Sequence, residues 1–481
     1  MQSIVTQVMQ GAPVRWHESH VRLFSSLLLV LLGAFVGGCA ASGPRSNLFP
    51  PTPQYPPDHA YTLDELVELS IHRNAGLDVA RYEAAAAQGI VDQVKALWLP
   101  SLRYDLAITG YDNDLSYPAR AFGGLVKLDV PITGAYNITN TLLASQIMFT
   151  GGKRLSGLKQ AKMYAELKRI DVLRAQDALC YDVATYYQLV CLTNDIDTVL
   201  EDALRRIRVL SQVAHELSSR GTLRGNNLDA LQSELFISFL EQLQVAVRAG
   251  RQQAYTALKQ SVGLNPDEPL TLARVTLPLL LTEQERISVL NAVGEGFLAR
   301  PETREVELFA RIRAEQVNFA KKAYAPNVVA GASFVYVAGN HNTILGALDG
   351  LIAGLLIDVP IYDPARLARL REALGMERAA EAFQKMVEQL VTLEISVTAV
   401  EAQKSLASLA PAEHARLAAA EHYDATRQAY SRELVPASNV VIAIGIDAVS
   451  RVNSLTALFN YHNARARLKR VTADRETPYG Y

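Results

Sequence analysis

The feature that most constrains this chain is an internal duplication. Residues 74–111 align without a gap with residues 300–337, at a shift of 226 positions that pairs Trp98 with Tyr324. Two further alignments follow in the same order, at shifts of 213 and 212 positions: 147–150 with 360–363, and 227–228 with 439–440. Because both order and spacing recur, the sequence predicts a tandem repeat of about 210 residues per unit.

Each unit begins with a helix that leads into a pair of strands. Residues 77–98 are apolar at the helical period, and Pro100 ends that helix. The period then changes to two, and one side of residues 102–111 is apolar: Leu102, Tyr104, Leu106 and Ile108. Ten residues tilted near 45° span roughly 25 Å, the apolar height of an outer-membrane barrel. We expect further strands at 141–149, 328–337 and 352–361; a soluble β-patch on a helical protein is the alternative.

Long helices follow each pair of strands. In the first unit no proline occurs between Pro131 and Pro266, which predicts helices over 153–217 and 228–262. In the second unit the corresponding helices are 366–432 and 440–470, and we expect Pro411 to kink the first of them. Periodic patterns of this length indicate coiled-coil packing.

The N-terminus has the layout of a targeting segment. Basic residues precede an apolar run over 23–38, and the run ends at Cys39 in the sequence Val-Gly-Gly-Cys. This ending resembles the lipobox of bacterial lipoproteins, in which the cysteine carries the lipid. We therefore predict a signal peptide over 1–38 and a lipidated, proline-rich tether over 39–61. An ordinary signal peptide with an incidental cysteine is the alternative.

Composition excludes several classes of protein. Basic and acidic residues nearly cancel, 47 against 49, so nothing indicates nucleic-acid binding. Past residue 39 no unbroken apolar run reaches the 18 or so residues of a membrane helix, which argues against a multi-span helical transporter. Three cysteines are too few for a disulfide scaffold, and Cys180 and Cys191 suit two small buried side chains. We find no catalytic or metal-binding motif and expect neither an enzyme nor a cofactor.

Four short motifs, each weak alone, occur in the order of a known family. They are residues 96–102 at the helix-to-strand junction, 149–154 at the strand-to-helix junction, and 228–231 and 461–468 in the returning helices. Together and behind a lipobox, they make the chain resemble the TolC-type outer-membrane factors, the exit ducts of bacterial efflux pumps and type I secretion systems. The resemblance places the first repeat at 62–275, the second at 286–473 and a short tail at 474–481.

The resemblance implies a mainly α fold with a membrane β-barrel portion, assembled as a homotrimer. Each protomer would give four strands to one twelve-stranded barrel and four helices to an α-helical barrel in the periplasm. Elementary physics agrees, because four strands are too few to close a barrel and open edges are not tolerated in lipid. The implied partners are outer-membrane lipid, a periplasmic adaptor and an inner-membrane transporter.

The resemblance also places the functional residues at the tips of the helical hairpins. In the family these tips form the periplasmic mouth and meet the adaptor. The candidate contact residues are Arg220, Gly221, Thr222 and Leu223 at one tip, and Leu434 and Val435 at the other. Apolar residues at exposed turns favour a contact surface.

The candidate mouth residues are Tyr430, Asn439 and Ile442. Relatives often carry aspartates just past the second tip, where this chain has Asn439 and Ile442. The sequence therefore predicts a mouth with little fixed negative charge. The carboxylates nearest in sequence are Glu433 and Asp447.

These patterns favour a passive outer-membrane export duct. The competing hypothesis is a non-channel interaction protein, such as a periplasmic coiled-coil adaptor. An adaptor normally has one helical hairpin within a β-rich module, whereas this chain alternates two hairpins with two strand pairs.

Overall fold

The computed structural model describes residue 56, residues 59–110, 115–121, 126–133, 136–219 and 227–277, residue 294, and residues 296–338 and 350–473. The signal peptide, Cys39, most of the tether, the tip residues Arg220 to Leu223 and the tail at 474–481 lie outside these residues. The predictions made for them stay predictions.

The first repeat runs from a short strand to a long helical hairpin. Its elements are β1 (Ala60–Tyr61), α1 (Leu63–Arg73), α2 (Ala75–Ala96), β2 (Ser101–Gly110), β3 (Leu115–Ala121), β4 (Val126–Thr133), β5 (Tyr136–Phe149), α3 (Lys153–Ser219), α4 (Asn227–Val262) and β6 (Thr271–Leu272). Thr62 caps α1 in a reciprocal capping box with Glu65. Helix α3 has 67 residues and is about 100 Å long.

The second repeat follows the same plan. Its elements are α5 (Pro301–Lys321), a 3₁₀ turn (Lys322–Tyr324), β7 (Asn327–Ala338), β8 (Gly350–Asp358), α6 (Pro364–Ser431) and α7 (Ala437–Val471). The long helices of both repeats begin and end within three residues of the sequence-based bounds. The predicted alternation of strand pairs with helical hairpins is confirmed.

Two strand predictions were inaccurate. Strand β8 ends at Asp358, not at Ile361, because Pro360 has no N–H to donate to a ladder. Strand β5 begins at Tyr136, five residues before the predicted start at 141. A further antiparallel hairpin, β3 with β4, was not predicted, and its proline-containing strands lack a clean period-two pattern.

The four long strands form one antiparallel sheet in the order β2-β5-β7-β8. Register pairs Leu106 with Asn140 and Ala107 with Thr139. The strands of both repeats thus share one sheet, joined through the β5–β7 ladder. Among the described residues β2 and β8 are its edge strands, each with one unpaired side.

The buried core lies in the helical part. One cluster joins α1, α3 and α4 around Leu66, Val183 and Leu258. A second cluster lies farther along the hairpins and joins α3, α4 and α7; its buried members include Ile207, Leu240, Val441 and Ile444. Burial of these side chains on facing helices holds the two hairpins side by side.

Two helices bear on the sequence-based expectations. Helix α6 continues through Pro411, so the proline lies inside the helix without ending it. Helix α7 contains an 18-residue window with a mean hydropathy of 1.4, enough to cross a membrane by length and composition. Polar and charged residues, among them Asp447 and Arg451, interrupt α7, so it is not an unbroken apolar run of the kind considered in the sequence. Buried residues of α7, including Val441 and Ile444, belong to the second core cluster, which is the packing of a bundle helix.

Candidate functional site

The tip between α6 and α7 is a tight, hydrogen-bonded turn. The N–H of Leu434 donates to the carbonyl of Ala429 and the N–H of Glu433 to that of Tyr430, both at 2.9 Å. These two bonds form a Schellman motif, which needs a residue in the left-handed region; Glu433 supplies it with φ of 66°. The turn is thereby fixed by backbone bonds.

The two predicted contact residues at this tip differ in exposure. Leu434 is 73% exposed, and Val435 is half-buried. Leu434 therefore projects a large apolar side chain from a rigid turn, as expected for a contact residue. The other predicted tip lies outside the described residues.

The predicted mouth residues lie on both arms of this tip. Tyr430 is half-buried and packs against the second core cluster, while Asn439 and Ile442 are exposed on the first turns of α7. The arrangement brings an amide and an alkyl group to the surface near the tip. Asp447, the next carboxylate along α7, is buried.

Asp447 belongs to an ion network that sequence analysis missed. Its carboxylate contacts Arg206 of α3 at 3.1 Å and Arg451 of its own helix at 3.0 Å. Asp202 of α3 in turn contacts Arg206 at 2.5 Å and Arg451 at 3.1 Å. The four side chains cross-link one hairpin to the other, and the partners lie more than 240 residues apart in sequence, too far for local pairing rules to find them.

Arginines control the ionisation of Asp202. Burial raises the pKa of this carboxyl, but the hydrogen bond from Arg205 and the charges of Arg206 and Arg451 outweigh burial and hold the pKa below its ordinary value. The guanidinium of Arg206 also lies 4.8 Å from the ring centroid of Tyr423 on α6. Three helices therefore meet at this network.

The sheet has one apolar and one more polar face. Residues in register share a face, because side chains alternate along every strand. One face is mostly apolar: it carries Leu102, Tyr104, Leu106, Ile108, Leu142, Ala144, Ala332, Phe334, Leu351, Ala353, Leu355 and Ile357, with Asn140 and Gln146 as its polar members. The other face is mixed: it carries Arg103, Asp105, Thr109, Thr139, Thr141, Ser145 and Ser333, together with Leu143, Ile147, Val329, Val335, Ile352 and Leu356.

The apolar face of the sheet is not covered by any element of the described chain. Leu106 is 55% exposed, and Ile108, Leu351 and Leu355 are more so. On the opposite face Arg103 pairs with Asp105 at 3.2 Å, and both are exposed. A sheet with a bare apolar face and a wet opposite face suits a wall between lipid and water.

The strand-to-helix junction explains the sequence motif at 149–154. Gly151 and Gly152 have φ of 60° and 82°, and a Cβ on Gly151 would lie 1.9 Å from the Cβ of Ala325. The two glycines therefore allow the first repeat's junction to touch the second's. Arg154 donates to the carbonyls of Leu97 and Met148 at 2.9 and 3.1 Å.

The two cysteines of the helices lie in the core. Cys180 and Cys191 are buried and form no disulfide, as expected of small core side chains. Burial raises the pKa of Cys191 to about 12, which makes its thiol unreactive at neutral pH. No group of three or more metal-ligating side chains occurs among the described residues.

Solved structures with the same arrangement are outer-membrane channels. No protein-family model and no curated protein sequence matches the chain. The outer-membrane channel OprN matches 89% of this chain and 95% of its own, at 17% identity and a TM-score of 0.71. The outer membrane protein VceC from Vibrio cholerae matches 85% and 95%, at 17% identity and a TM-score of 0.69. This chain has the fold of an outer-membrane channel.

A third channel of this fold extends the comparison. The MtrE outer membrane channel of Neisseria gonorrhoeae, solved in its open state, covers 85% of this chain at 15% identity and a TM-score of 0.68. The resemblance to the TolC-type family noted in the sequence is thus confirmed for the fold. In the channel fold the four-stranded sheet and the hairpin tip around Leu434 lie at opposite ends of the long helices.

Proposed function

We propose that this chain is a passive outer-membrane exit duct of a tripartite efflux pump or type I secretion system. The observation that carries the proposal is the four-stranded sheet, whose bare apolar face and wetter opposite face continue directly into helices of about 100 Å. Such a sheet suits a barrel wall, and such helices suit a tube. The structural relatives are outer-membrane channels, which supports efflux as the general role.

The sheet edges support a homotrimer with a twelve-stranded barrel. Strands β2 and β8 each leave one row of backbone groups unpaired within the described residues. Unpaired backbone groups are costly in lipid, and four strands cannot close on themselves. Pairing of β2 with β8 of a neighbour, repeated three times, would remove every edge.

An exposed apolar stripe on α6 supports the same assembly. Its members recur at spacings of seven, then three and four residues: Met376, Phe383, Met386, Leu390, Leu393, Val397 and Val400. All are 46–59% exposed in the single chain. This is the a/d pattern of a coiled-coil seam, and a helix of a neighbouring protomer is the occupant we propose.

The proposal also specifies where the chain lies in the cell envelope and which proteins it contacts. Cys39 would anchor the mature chain to the outer membrane through lipid, with the helices extending into the periplasm. The exposed Leu434 at the hairpin tip would contact a periplasmic adaptor, which connects the duct to an inner-membrane transporter. A duct of this kind hydrolyses nothing and needs no cofactor.

The competing hypothesis of a periplasmic coiled-coil adaptor has less support. It accounts for the long hairpins but gives no role to a sheet with a bare apolar face and two open edges.

Reconstitution tests the proposal. The purified full chain should run as a trimer in native mass spectrometry and produce discrete conductance steps in planar bilayers. A monomer without conductance would contradict the duct. Mass spectrometry of the mature N-terminus should find Cys39 lipidated, and Cys39→Ser should accumulate as an uncleaved precursor.

A further inference from the structure

All four connections between sheet and helices lie at one end of the sheet. Register aligns Ser101 with Ser145, Phe149 with Val328, and Asn327 with Asp358. The helix ends that flank these residues therefore lie where the apolar face of the sheet stops. If the sheet crosses a membrane, as proposed above, these junctions lie at the periplasmic boundary of the hydrocarbon.

Exposed aromatic side chains mark this boundary. Trp98 and Tyr324 follow α2 and α5, while Phe149 and Tyr362 stand at the strand ends before α3 and α6. All four are exposed, from 39% for Trp98 to 85% for Tyr362. Tryptophan and tyrosine favour the level of the lipid headgroups, because one part of the ring is apolar and the other is polar.

Three cations accompany the aromatic residues where the junctions of the two repeats meet, and we name Lys153, Arg154 and Lys322 the basic junction cluster. The Nζ of Lys153 donates to the carbonyl of Ala325 at 3.4 Å. The Nζ of Lys322 lies 3.7 Å from the position that a Cβ on Gly152 would take. The close approach of the two junctions thus brings Lys322 of one repeat beside Lys153 of the other.

The basic junction cluster lacks carboxylate partners. None of its three members forms an ion pair within the part of the chain that the structure describes. Glu315, which is influenced electrostatically by Lys322, is held by Ser156 at 2.6 Å and by Asn318 at 3.2 Å. The three positive charges of the cluster exceed the single charge of Glu315, and a net positive cluster favours an external anion.

The second repeat provides an internal comparison. Arg154 lies 4.9 Å from the ring centroid of Trp98, and Arg366 lies 5.1 Å from that of Tyr324, so each repeat stacks an arginine on its junction aromatic. Arg366, however, is paired with Asp363 at 3.4 Å. Arg366 therefore has a carboxylate partner, whereas Lys153, Arg154 and Lys322, which lie where the two junctions touch, form no ion pair among the described residues.

We propose that the basic junction cluster binds the phosphate of an anionic phospholipid in the periplasmic leaflet of the outer membrane. The proposal rests on the proposed duct, because it requires the sheet to lie in a bilayer. Lys153 and Lys322 supply point charges for the phosphate oxygens. Arg154, whose two Nη atoms donate to the carbonyls of Leu97 and Met148, adds a fixed positive charge beside them. The adjacent Trp98 and Phe149 would lie against the acyl chains of the same lipid. A free phosphate could satisfy the charges but would leave these aromatic side chains in water.

The chain contains its own probe for this site. It has two tryptophans, and Trp16 lies in the predicted signal peptide, so the mature chain keeps Trp98 alone. We would reconstitute the mature chain in phosphatidylcholine vesicles that contain brominated phosphatidylglycerol or, at the same mole fraction, brominated phosphatidylcholine. Quenching of Trp98 fluorescence then reports the relative association of the two lipids.

Phosphatidylglycerol should associate more tightly than phosphatidylcholine, and salt should weaken the preference. Each lysine near an anionic surface contributes a factor of about five. The double variant Lys153→Gln/Lys322→Gln should therefore reduce the preference by at least about five-fold. The matched control Lys385→Gln/Lys404→Gln removes two exposed lysines from the wall helix α6 and should leave it unchanged.

The outcomes separate the two proposals. Quenching by neither lipid would overturn both the cluster and the membrane placement of the sheet. Equal quenching by both lipids would overturn the lipid site and leave the duct standing. The lipid site would also be overturned if the Lys153→Gln/Lys322→Gln variant kept the preference for phosphatidylglycerol over phosphatidylcholine. Loss of the preference in inorganic phosphate, but not in chloride of equal ionic strength, would show that the cluster takes a free anion instead.

Discussion

Gly151 shows how little room the strand-to-helix junction leaves. Any side chain there would meet Ala325 and would have to adopt a left-handed backbone. We expect Gly151→Ala to reduce the free energy of unfolding by about 1–3 kcal/mol. Gly157→Ala is the matched control, since Gly157 is helical with open space around it and should stabilise by about 0.5–1 kcal/mol. Denaturant unfolding in detergent, followed by circular dichroism, measures both.

Asp202 predicts a pH dependence. Its pKa is lower in the folded chain than in the unfolded one, so its stabilising effect is complete above the unfolded pKa and is lost as the pH falls through the folded pKa. We expect Asp202→Asn to lower the free energy of unfolding by about 1–3 kcal/mol at pH 7. The difference from the unaltered chain should shrink below about pH 4.

A surface aspartate controls for a general effect of removing charge. Asp424 is exposed and pairs with Arg427 only at 3.6 Å. Asp424→Asn should change stability little at either pH. If both variants lose the same free energy of unfolding at neutral pH, the network around Asp202 stabilises the fold no more than a surface ion pair does.

At the scale of the element, neighbouring residues of strand β2 would face lipid and lumen in the proposed barrel. Leu106 lies on the apolar face of the sheet and Ala107 on the other. Arginine at a lipid-facing position near the bilayer midplane costs about 2–4 kcal/mol. We expect Leu106→Arg to lower the yield of folded, vesicle-inserted protein and Ala107→Arg to be milder. Equal tolerance of the two changes would contradict the assignment of the faces.

The elements also show what a single sequence can and cannot predict. The long helices were predictable because seams of Leu, Ala and Val repeat over many turns, without proline in α3 and α4 and with Pro411 alone in the interior of α6. Strand β2 was predictable because its alternation is clean. The start of β5 and the end of β8 were harder to predict. Residues next to a strand, such as Ile361, can be apolar without pairing in the sheet. The link between Asp202 and Asp447 could not be predicted, because it depends on the lateral register of two hairpins.

At the scale of the whole molecule, the apolar stripe on α6 should be an interface. Leu390→Glu places a charge in the middle of that stripe, and loss of a buried leucine costs about 2 kcal/mol. We expect this variant to shift native mass spectra from trimer to monomer. Gln389→Glu adds the same charge one residue away, off the stripe, and should leave the trimer intact. Monomers in both variants would indicate a general effect of charge on α6.

The mouth of the proposed channel is also a property of the whole assembly, because three copies of the chain would contribute to its charge. In the proposed trimer Asn439 and Ile442 line the mouth and give it no fixed charge, so we expect weak cation preference in planar bilayers. Asn439→Asp adds three carboxylates to one constriction and should increase the preference for cations, more strongly at low salt. Strong cation selectivity in the unaltered channel, lost near pH 4, would place other carboxylates at the constriction.

The two open edges of the sheet also govern the kinetics of biogenesis. A chain that cannot satisfy its own backbone in lipid must meet two others before it is stable there, so in the proposed trimer the rate of insertion depends steeply on the local concentration of protomers. At low protomer concentration the proposed assembly would form slowly. Unassembled chains would then stay in the periplasm with unpaired sheet edges, which proteases and incorrect partners can reach. A tether that confines chains to the surface of one membrane raises their effective concentration and shortens that wait.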